Sequence, residues 1–365
     1  MLIGIDARKL RDGGIGTYVR HLVGALLEEP RGHHFALFLD PAHFGKTTWA
    51  RATREIAVRA GKYSLAEHWV LAVAARAAGV DLFHSPHYTL PLTWSGPAVV
   101  TIHDLIHVRF PQFFPAGAAL YARTVAGMAA RRSRMVIANS QHTRSDVVAA
   151  LGVSPSRVRV IPLGVAASIA RRDEHAVAAF RRARALPADY LLYVGARRGH
   201  KNLGMLLRAV AAIPAEDRPP LVLSGRPWST RDPLARLAAH LAITPLVHFA
   251  GDFEDDEALS CCYSGAALYV QPSLTEGFGL PPLEAMACEV PTLCSTGGAL
   301  PETVGDAAEL LDPHDPAPWA RAIVVLLGDT SRRAELTQRG VTRARSFTWA
   351  LAAQRTLDVY EQAAP

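Results

Sequence analysis

The stretch that most narrows what this chain can fold into runs from Ala266 to Pro291 and reads AALYVQPSLTEGFGLPPLEAMACEVP. Ala266 to Val270 is a short apolar run of strand formers, and Pro272-Ser273 is a turn pair. Gly277 and Gly279 follow, and Pro281-Pro282 leads into the helix formers Leu283 to Ala287. Proline early with helix formers after it marks a helix start, so the order is strand, glycine loop, helix. Such a loop suits an anion: glycines let the backbone come close, and first-turn amides face the ligand with the positive end of the helix dipole. Glu276 falls in the loop, and Glu284, eight positions on, falls in the first turn or so of the helix. A phosphate held by the amides leaves both carboxylates able to accept hydrogen bonds from hydroxyls on either side of it. A nucleotide sugar, with ribose, diphosphate and hexose in that order, has this layout. On spacing alone a plainer account stands equally: Glu284 complements the helix N-terminus and Glu276 is a solvated loop residue.

The same alternation recurs along the chain. Leu2 to Ile5 reads as a buried strand, followed by the glycines Gly13, Gly14 and Gly16 and a helix with Val19, Leu22, Val23, Leu26 and Leu27 at helical spacing. These glycines do not match the G-x-G-x-x-G dinucleotide fingerprint. Further strands are expected at Phe35–Leu39, Asp81–His84, Pro97–Ile102, Met135–Ala138 and Val158–Val165, and a second series at Tyr190–Gly195, Leu221–Arg226, Val247–Gly251 and Val290–Cys294. The fold class is therefore α/β, with two doubly wound, Rossmann-like domains. The expected boundaries are residues 1–168 for the first domain, 169–346 for the second and 347–365 for a terminal helix. His103-Asp104 sits at the carboxyl end of a strand, where ligands of open α/β sheets bind. The loop Ala196-Arg197-Arg198-Gly199-His200-Lys201-Asn202 puts cations at a helix start, which disfavours the helix unless an anion sits there. Arg198 and Lys201 suit a diphosphate, as a fork and a point charge.

At 365 residues, half of them hydrophobic, the chain is long enough for two cores. No apolar run has bilayer length and the start MLIGIDARKL lacks a secretory pattern, so a cytoplasmic location is expected. Cys261, Cys262, Cys288 and Cys294 show no metal spacing and read as buried thiols. Charge is uneven: residues 1–165 hold 19 Lys and Arg against 10 Asp and Glu, and the rest 20 against 23. A basic first half suits an anionic partner such as a membrane surface, a lipid-linked phosphate or nucleic acid; arginine on solvated helices explains it as well. A helical region carrying Trp49, Arg51, Arg54, Arg59, Lys62 and Trp69 is the candidate for peripheral membrane contact, and Trp and Arg on a partly packed helix explain it equally well.

EGFGLPPLEAMA, with Pro301-Glu302 beyond it, resembles the E-x7-E signature of retaining glycosyltransferases with the GT-B fold, specifically family 4. That resemblance implies two domains facing a cleft and a last helix that crosses back to the first. It further implies that Glu276 binds donor hexose hydroxyls, that Gly277, Phe278, Gly279 and Leu280 offer amides to sugar and phosphate, and that Glu284 holds the ribose. VTIHDLIHVRFPQFFP is similar to the amino-terminal domain of the family, which puts His103 against the donor hexose; His84, His87 and His107 gain no such support. Gly14 and Gly16 would face the diphosphate across the cleft. The loop before Asn202 resembles the family's (R/H)-K-N segment, with Lys201 matching; His200 stands where many relatives have Arg, and Arg198 is favoured only slightly over Arg197 as the second phosphate ligand. The resemblance sets Asn139-Ser140 near the acceptor side, but a purely structural role, with Ser140 capping the following helix, is the preferred reading. Glu289 departs from the usual helix-ending glycine, and Pro291 is expected to end that helix instead.

The implied activity is retaining, metal-independent hexose transfer. No segment resembles D-x-D metal ligation, and Lys201, Arg198 and the loop amides would offset the charge on the leaving diphosphate. No cofactor is expected beyond the donor, GDP-mannose first and UDP-glucose or another UDP sugar close behind. The expected acceptor is a glycan, lipid-linked or small-molecule hydroxyl. A nucleotide-sugar epimerase of the same fold is an alternative, a phosphorylase is disfavoured for want of length and a pyridoxal lysine, and a nucleic-acid binder ranks last.

Overall fold

The structure, a computed structural model, describes residues 1–61 and 64–364. It divides into two compact units, Met1–Gly164 with Thr348–Pro365, and Val165–Phe347. The first holds strands β1 (Leu2–Asp6), β2 (His34–Leu39), β3 (Arg54–Ala57), β4 (Leu82–Ser85), β5 (Ala98–Ile102), β6 (Met135–Ala138) and β7 (Val158–Val160), with helices α1 (Gly13–Glu28), α2 (Leu65–Ala77), α3 (Ile106–Arg109), α4 (Ala118–Arg132) and α5 (Gln141–Leu151). All seven strands are parallel, in the order β3-β2-β1-β4-β5-β6-β7. Every residue of β4 and β5 is buried, as in a parallel sheet covered on both faces.

The second unit holds β8 (Tyr190–Tyr193), β9 (Leu221–Ser224), β10 (Val247–Gly251), β11 (Ala266–Gln271), β12 (Thr292–Ser295) and β13 (Glu309–Leu311). Its helices are α6 (Glu174–Ala183), α7 (Leu203–Ala212), α8 (Pro233–His240), α9 (Asp256–Ser264), α10 (Leu280–Ala287), α11 (Leu300–Val304), α12 (Pro316–Gly328) and α13 (Thr330–Arg345). The sheet is again parallel, in the order β10-β9-β8-β11-β12-β13. The last helix, α14 (Trp349–Ala363), belongs to the first unit and packs against α1.

Each sheet reverses its winding once. In the first unit the chain steps outward from β1 to β3 and then restarts at β4 on the other side of β1; in the second the same happens between β8 and β11. The loops after the two strands flanking such a switch point diverge to opposite faces and leave a crevice at the carboxyl edge.

Four local expectations need correction. Residues 40–53 form turns and 54–57 the edge strand β3, so Trp49, Arg51, Arg54 and Arg59 do not share a helix with Trp69, the only one of them on α2. Bonds from the Gly45 amide and the Thr47 hydroxyl to the Glu55 carboxylate fold those turns back on the strand. Lys62, in the same expected group, lies outside the described residues. Gly14 and Gly16 are not in a loop but in the first turn of α1, which begins at Gly13 in the left-handed region. Helix α10 starts at Leu280, capped by left-handed Gly279 (φ 102°), with both prolines in the first turn where their missing amides cost nothing; Glu284 is consequently in the second turn. Finally, Glu289 itself takes the left-handed conformation (φ 62°), and Val290 N–H bonds the Ala285 carbonyl at 3.0 Å while Glu289 N–H bonds Met286 at 3.1 Å. The helix thus ends in a Schellman turn with a glutamate where glycine is cheapest, rather than at Pro291.

Candidate active site

The β8–β11 switch point brings together two groups that lie far apart in sequence. Lys201 ends the short helical turn after β8, and Glu276 sits in the loop after β11. Lys201 Nζ lies 2.8 Å from both Glu276 Oε1 and Oε2. Oε1 also accepts from Ser273 Oγ at 2.6 Å and Gln271 Nε2 at 2.9 Å, and Gln271 Oε1 in turn accepts from Tyr269. Burial alone would push the Glu276 carboxyl up; the Lys201 charge and the bonds from Lys201 and Ser273 more than offset it and hold the group below its ordinary range. Oε1 is crowded with donors, whereas Oε2 takes the single bond from Lys201 and keeps capacity for a hydroxyl.

The loop is braced from behind. A β-carbon at Gly297 would lie 2.5 Å from the Ser273 carbonyl oxygen, and one at Gly298 would meet the Glu276 backbone, so only glycines let the β12–α11 connection pass this close. Ala299 N–H bonds the Glu276 carbonyl at 2.9 Å, and Thr303 Oγ1 donates to the Phe278 carbonyl at 2.6 Å. Phe278 is buried and packs edge-on against Phe347. Gly277 and Gly279 are buried beside it, while Leu280 is half-buried at the helix start.

Glu284 stands apart from the Lys201–Glu276 pair. Its Oε2 accepts from Tyr263 on α9 at 2.8 Å. Burial, with a small push from Asp256 and an opposing bond from Tyr263, raises its carboxyl to about 7. Arg197 donates to the Arg226 carbonyl at 2.6 Å, and Arg198 is exposed at the edge of the same loop. His200 is buried, and its carbonyl accepts from Leu274 N–H at 2.8 Å, tying the cationic loop to the glutamate loop.

In the first unit the β1–β4 switch point holds a second polar cluster. Lys9 and His87, both buried, meet at 3.1 Å between Nζ and Nδ1. Burial lowers Lys9 to about 8 against the pull of Asp6 and Glu67, and burial with the Lys9 charge lowers His87 to about 2. Below them, buried Arg8 bridges Asp6 at 2.7 Å and Glu67 at 3.1 Å. His103, one strand over at the end of β5, donates from Nε2 to the Pro86 carbonyl at 2.9 Å. That bond fixes the tautomer, burial lowers the ring's pKa, and Nδ1 is left as an acceptor. The edge of Tyr18 packs on the His103 ring, with centroids 4.8 Å apart. A buried relay runs from Tyr18 through Thr101 and His84 to Tyr360 of α14, at 3.0, 2.8 and 2.7 Å. A β-carbon at Gly16 would lie 2.5 Å from the Leu10 carbonyl oxygen, whereas Gly14 faces open space.

Among the described residues no group of three His, Cys, Asp or Glu side chains is placed to hold a metal ion. The family model described as "Glycosyltransferase Family 4" matches residues 12–169, and "Glycosyl transferases group 1" matches residues 179–343. A D-inositol 3-phosphate glycosyltransferase of Salinispora arenicola is 34% identical over 80% of this chain and 71% of its own length. The chain belongs to the group 1, family 4 glycosyltransferases. O-antigen chain mannosyltransferase B of Escherichia coli is 29% identical to this glycosyltransferase over 95% of the chain and 96% of the relative. A solved sucrose-phosphate synthase from Thermosynechococcus elongatus superposes with a TM-score of 0.81 at 25% identity, covering 99% and 98% of the two chains. Two parallel sheets of seven and six strands with flanking helices are the GT-B architecture.

Several residues of the candidate site carry no motif in the sequence. Gln271 and Ser273 lie within five residues of Glu276, and polar residues ending a buried strand were the available signal. Tyr263, Lys9 and His87 carried none, because their partners lie 21 and 78 positions away.

Proposed function

We propose that this glycosyltransferase moves a hexose, mannose from GDP-mannose in first place, to a hydroxyl of a glycan, lipid-linked or small-molecule acceptor with retention at the anomeric carbon. The observation that carries the reading is the Lys201–Glu276 pair at a switch point, with one carboxylate oxygen committed to the protein and the other able to take a sugar hydroxyl. Lys201 would hold both the carboxylate and a donor phosphate, with exposed Arg198 adding a fork to the diphosphate and Arg197 steadying the loop. Glu284 would take the ribose through the oxygen that does not accept from Tyr263. Gly277, Phe278, Gly279 and Leu280 would present amides to sugar and phosphate, and Gly14 and Gly16 would let the start of α1 approach the diphosphate. His103 Nδ1 would accept from a hexose hydroxyl.

In the reaction the bond from the anomeric carbon to the phosphate oxygen breaks and its electron pair stays with the diphosphate. The acceptor oxygen bonds to the same face, and its proton passes to the departing phosphate oxygen. Lys201, Arg198 and the amides of Gly277 to Leu280 would stabilise the growing negative charge without a divalent metal. The acceptor would be taken mainly by the first unit, whose switch point holds the polar groups Lys9 and His87. Likeness to the Escherichia coli mannosyltransferase over nearly its full length supports mannose as the transferred sugar.

Thermal unfolding with GDP-mannose, UDP-glucose and the free nucleotides tests the donor. A ligand at a hundredfold excess over its Kd adds about 2.7 kcal/mol. Stabilisation by GDP-mannose is the expected result, stabilisation by UDP-glucose alone would move the donor to the UDP series, and no shift with either would overturn the reading. Incubation with donor and no acceptor separates an epimerase, which would return an altered nucleotide sugar.

A further inference from the structure

Helix α2 and the first turn of α4 are apolar on the side that water should own. Leu65, Trp69 and Val73 recur every fourth residue along α2 and are 88%, 64% and 45% exposed; on α4, Leu120 is 71% and Tyr121 45% exposed. The buried side of each helix is accounted for separately, since Leu71, Ala72 and Ala75 of α2 and Ala126, Ala129 and Ala130 of α4 enter one core against the sheet. An ordinary surface helix has one apolar stripe; α2 has a second, and α4 adds an exposed apolar pair in its first turn. The helices cover the same sheet face, and the β4–β5 connection bonds to both: Thr93 donates to the His68 carbonyl at 2.6 Å and the Trp94 carbonyl accepts from Arg132 at 2.8 Å.

The charges on this face are of one sign. Arg76, Arg123, Arg131 and Arg132 are exposed. The two helices contain a single acidic residue, Glu67, and it is buried against Arg8. The first unit as a whole carries 20 Lys and Arg against 12 Asp and Glu. A second copy docked by a two-fold axis would set arginine against arginine, which disfavours self-association. Exposed Trp, Leu and Tyr set among arginines instead match the layered chemistry of an anionic bilayer, with apolar side chains at the headgroup boundary and guanidinium on phosphate.

We propose that the α2–α4 face seats on an anionic lipid surface, with Leu65, Trp69, Leu120 and Tyr121 entering the interfacial layer and the four arginines meeting lipid phosphates. Both helices lead directly into a parallel strand, so their N-termini lie at the carboxyl edge of the sheet. The Arg8–Glu67 bridge fixes the start of α2 there at 3.1 Å. Seating on this face therefore brings a lipid-borne acceptor to the edge that holds His103, Lys9 and His87. This last step rests on the proposal that the first unit takes the acceptor; the docking itself does not.

Flotation of the full chain with vesicles of phosphatidylcholine alone, and of phosphatidylcholine mixed with phosphatidylglycerol, tests it. The expected result is recovery with the mixed vesicles only, weakening as salt rises. Trp69→Ser with Leu120→Ser, and separately Arg123→Glu with Arg131→Glu, should each lower that partition about tenfold. Donor-induced thermal stabilisation of both variants should match the native chain, which shows that fold and donor site are intact. Equal recovery on both vesicle types, or double variants that float like the native chain, overturns the proposal. So does a dimer in sedimentation that the Trp69→Ser, Leu120→Ser chain fails to form, since a second copy then covers the face. Failure of donor stabilisation in the native chain would count against the proposed donor and leave the lipid result standing.

Discussion

The two oxygens of Glu276 have different neighbours, and removing either side of the pair should have different consequences. Lys201→Met leaves a carboxylate in a nearly closed site with only neutral donors, a change that costs roughly 3–5 kcal/mol. Adding Glu276→Gln removes the stranded charge, so urea denaturation of the double variant should recover most of that loss. Transfer should remain down by about a hundredfold or more in both. A double variant that regains turnover along with stability would make the pair purely structural. Glu284 gives a pH signature. Its carboxyl rises from 4.5 to about 7 in the folded chain, so the fold binds the proton more tightly than the unfolded state. The associated stability is present below pH 4.5 and lost as pH climbs through 7. Relative to Glu284→Gln, the native chain should therefore lose on the order of 1–3 kcal/mol between about pH 5 and pH 8. Parallel pH profiles for the two would mean that this group titrates normally. Glu276 and Lys201 were legible because each sits inside a local motif. Their pairing was not, since neither sequence segment contains the strand order that makes β8 and β11 neighbours.

At the scale of elements, the first turn of α1 separates steric need from ligand approach. Gly16→Ala drives a β-carbon against the Leu10 carbonyl and should lose about 1–3 kcal/mol by thermal unfolding. Gly14→Ala meets nothing within 4 Å, sits at a helical position and should be neutral or gain up to about 1 kcal/mol. If Gly14 serves the diphosphate, that same variant should raise the donor KM; an unchanged KM would leave Gly14 without a ligand role. Glu289→Gly should stabilise by about 0.5–1 kcal/mol, since a left-handed glutamate is replaced by the residue that suits the conformation. A loss on denaturation would show that the Glu289 side chain makes up for its backbone. Buried parallel strands were readable as short apolar runs ending in glycine or polar residues, because both their faces are covered. Glu284 was expected in the first turn or so of α10 and lies in the second, because the helix already begins at Leu280 with both prolines inside its first turn. Residues 40–60 were misread because scattered Trp and Arg carry no period strong enough to tell turns and an edge strand from a helix.

For the whole molecule, the deciding fact is that the first unit is made from two separate pieces of chain. Helix α14 places Trp349, Leu357 and Tyr360 in its interior, and Tyr360 completes the bond to His84 Nδ1 at 2.7 Å. Tyr360→Phe strands that nitrogen in a site with no water access and should cost about 1–3 kcal/mol in urea denaturation. An unaffected midpoint would mean that His84 finds another partner. The resemblance to GT-B enzymes announced this returning helix, whereas no feature of residues 348–364 alone says which sheet they join. There is a further consequence for how the protein comes into being. During translation the segment that ends at Gly164 emerges first, yet its partner helix lies beyond another 183 residues. The ribosome therefore releases the second unit ready to fold while the earlier one still waits with an uncovered apolar flank, an interval in which a nascent-chain chaperone has something to hold.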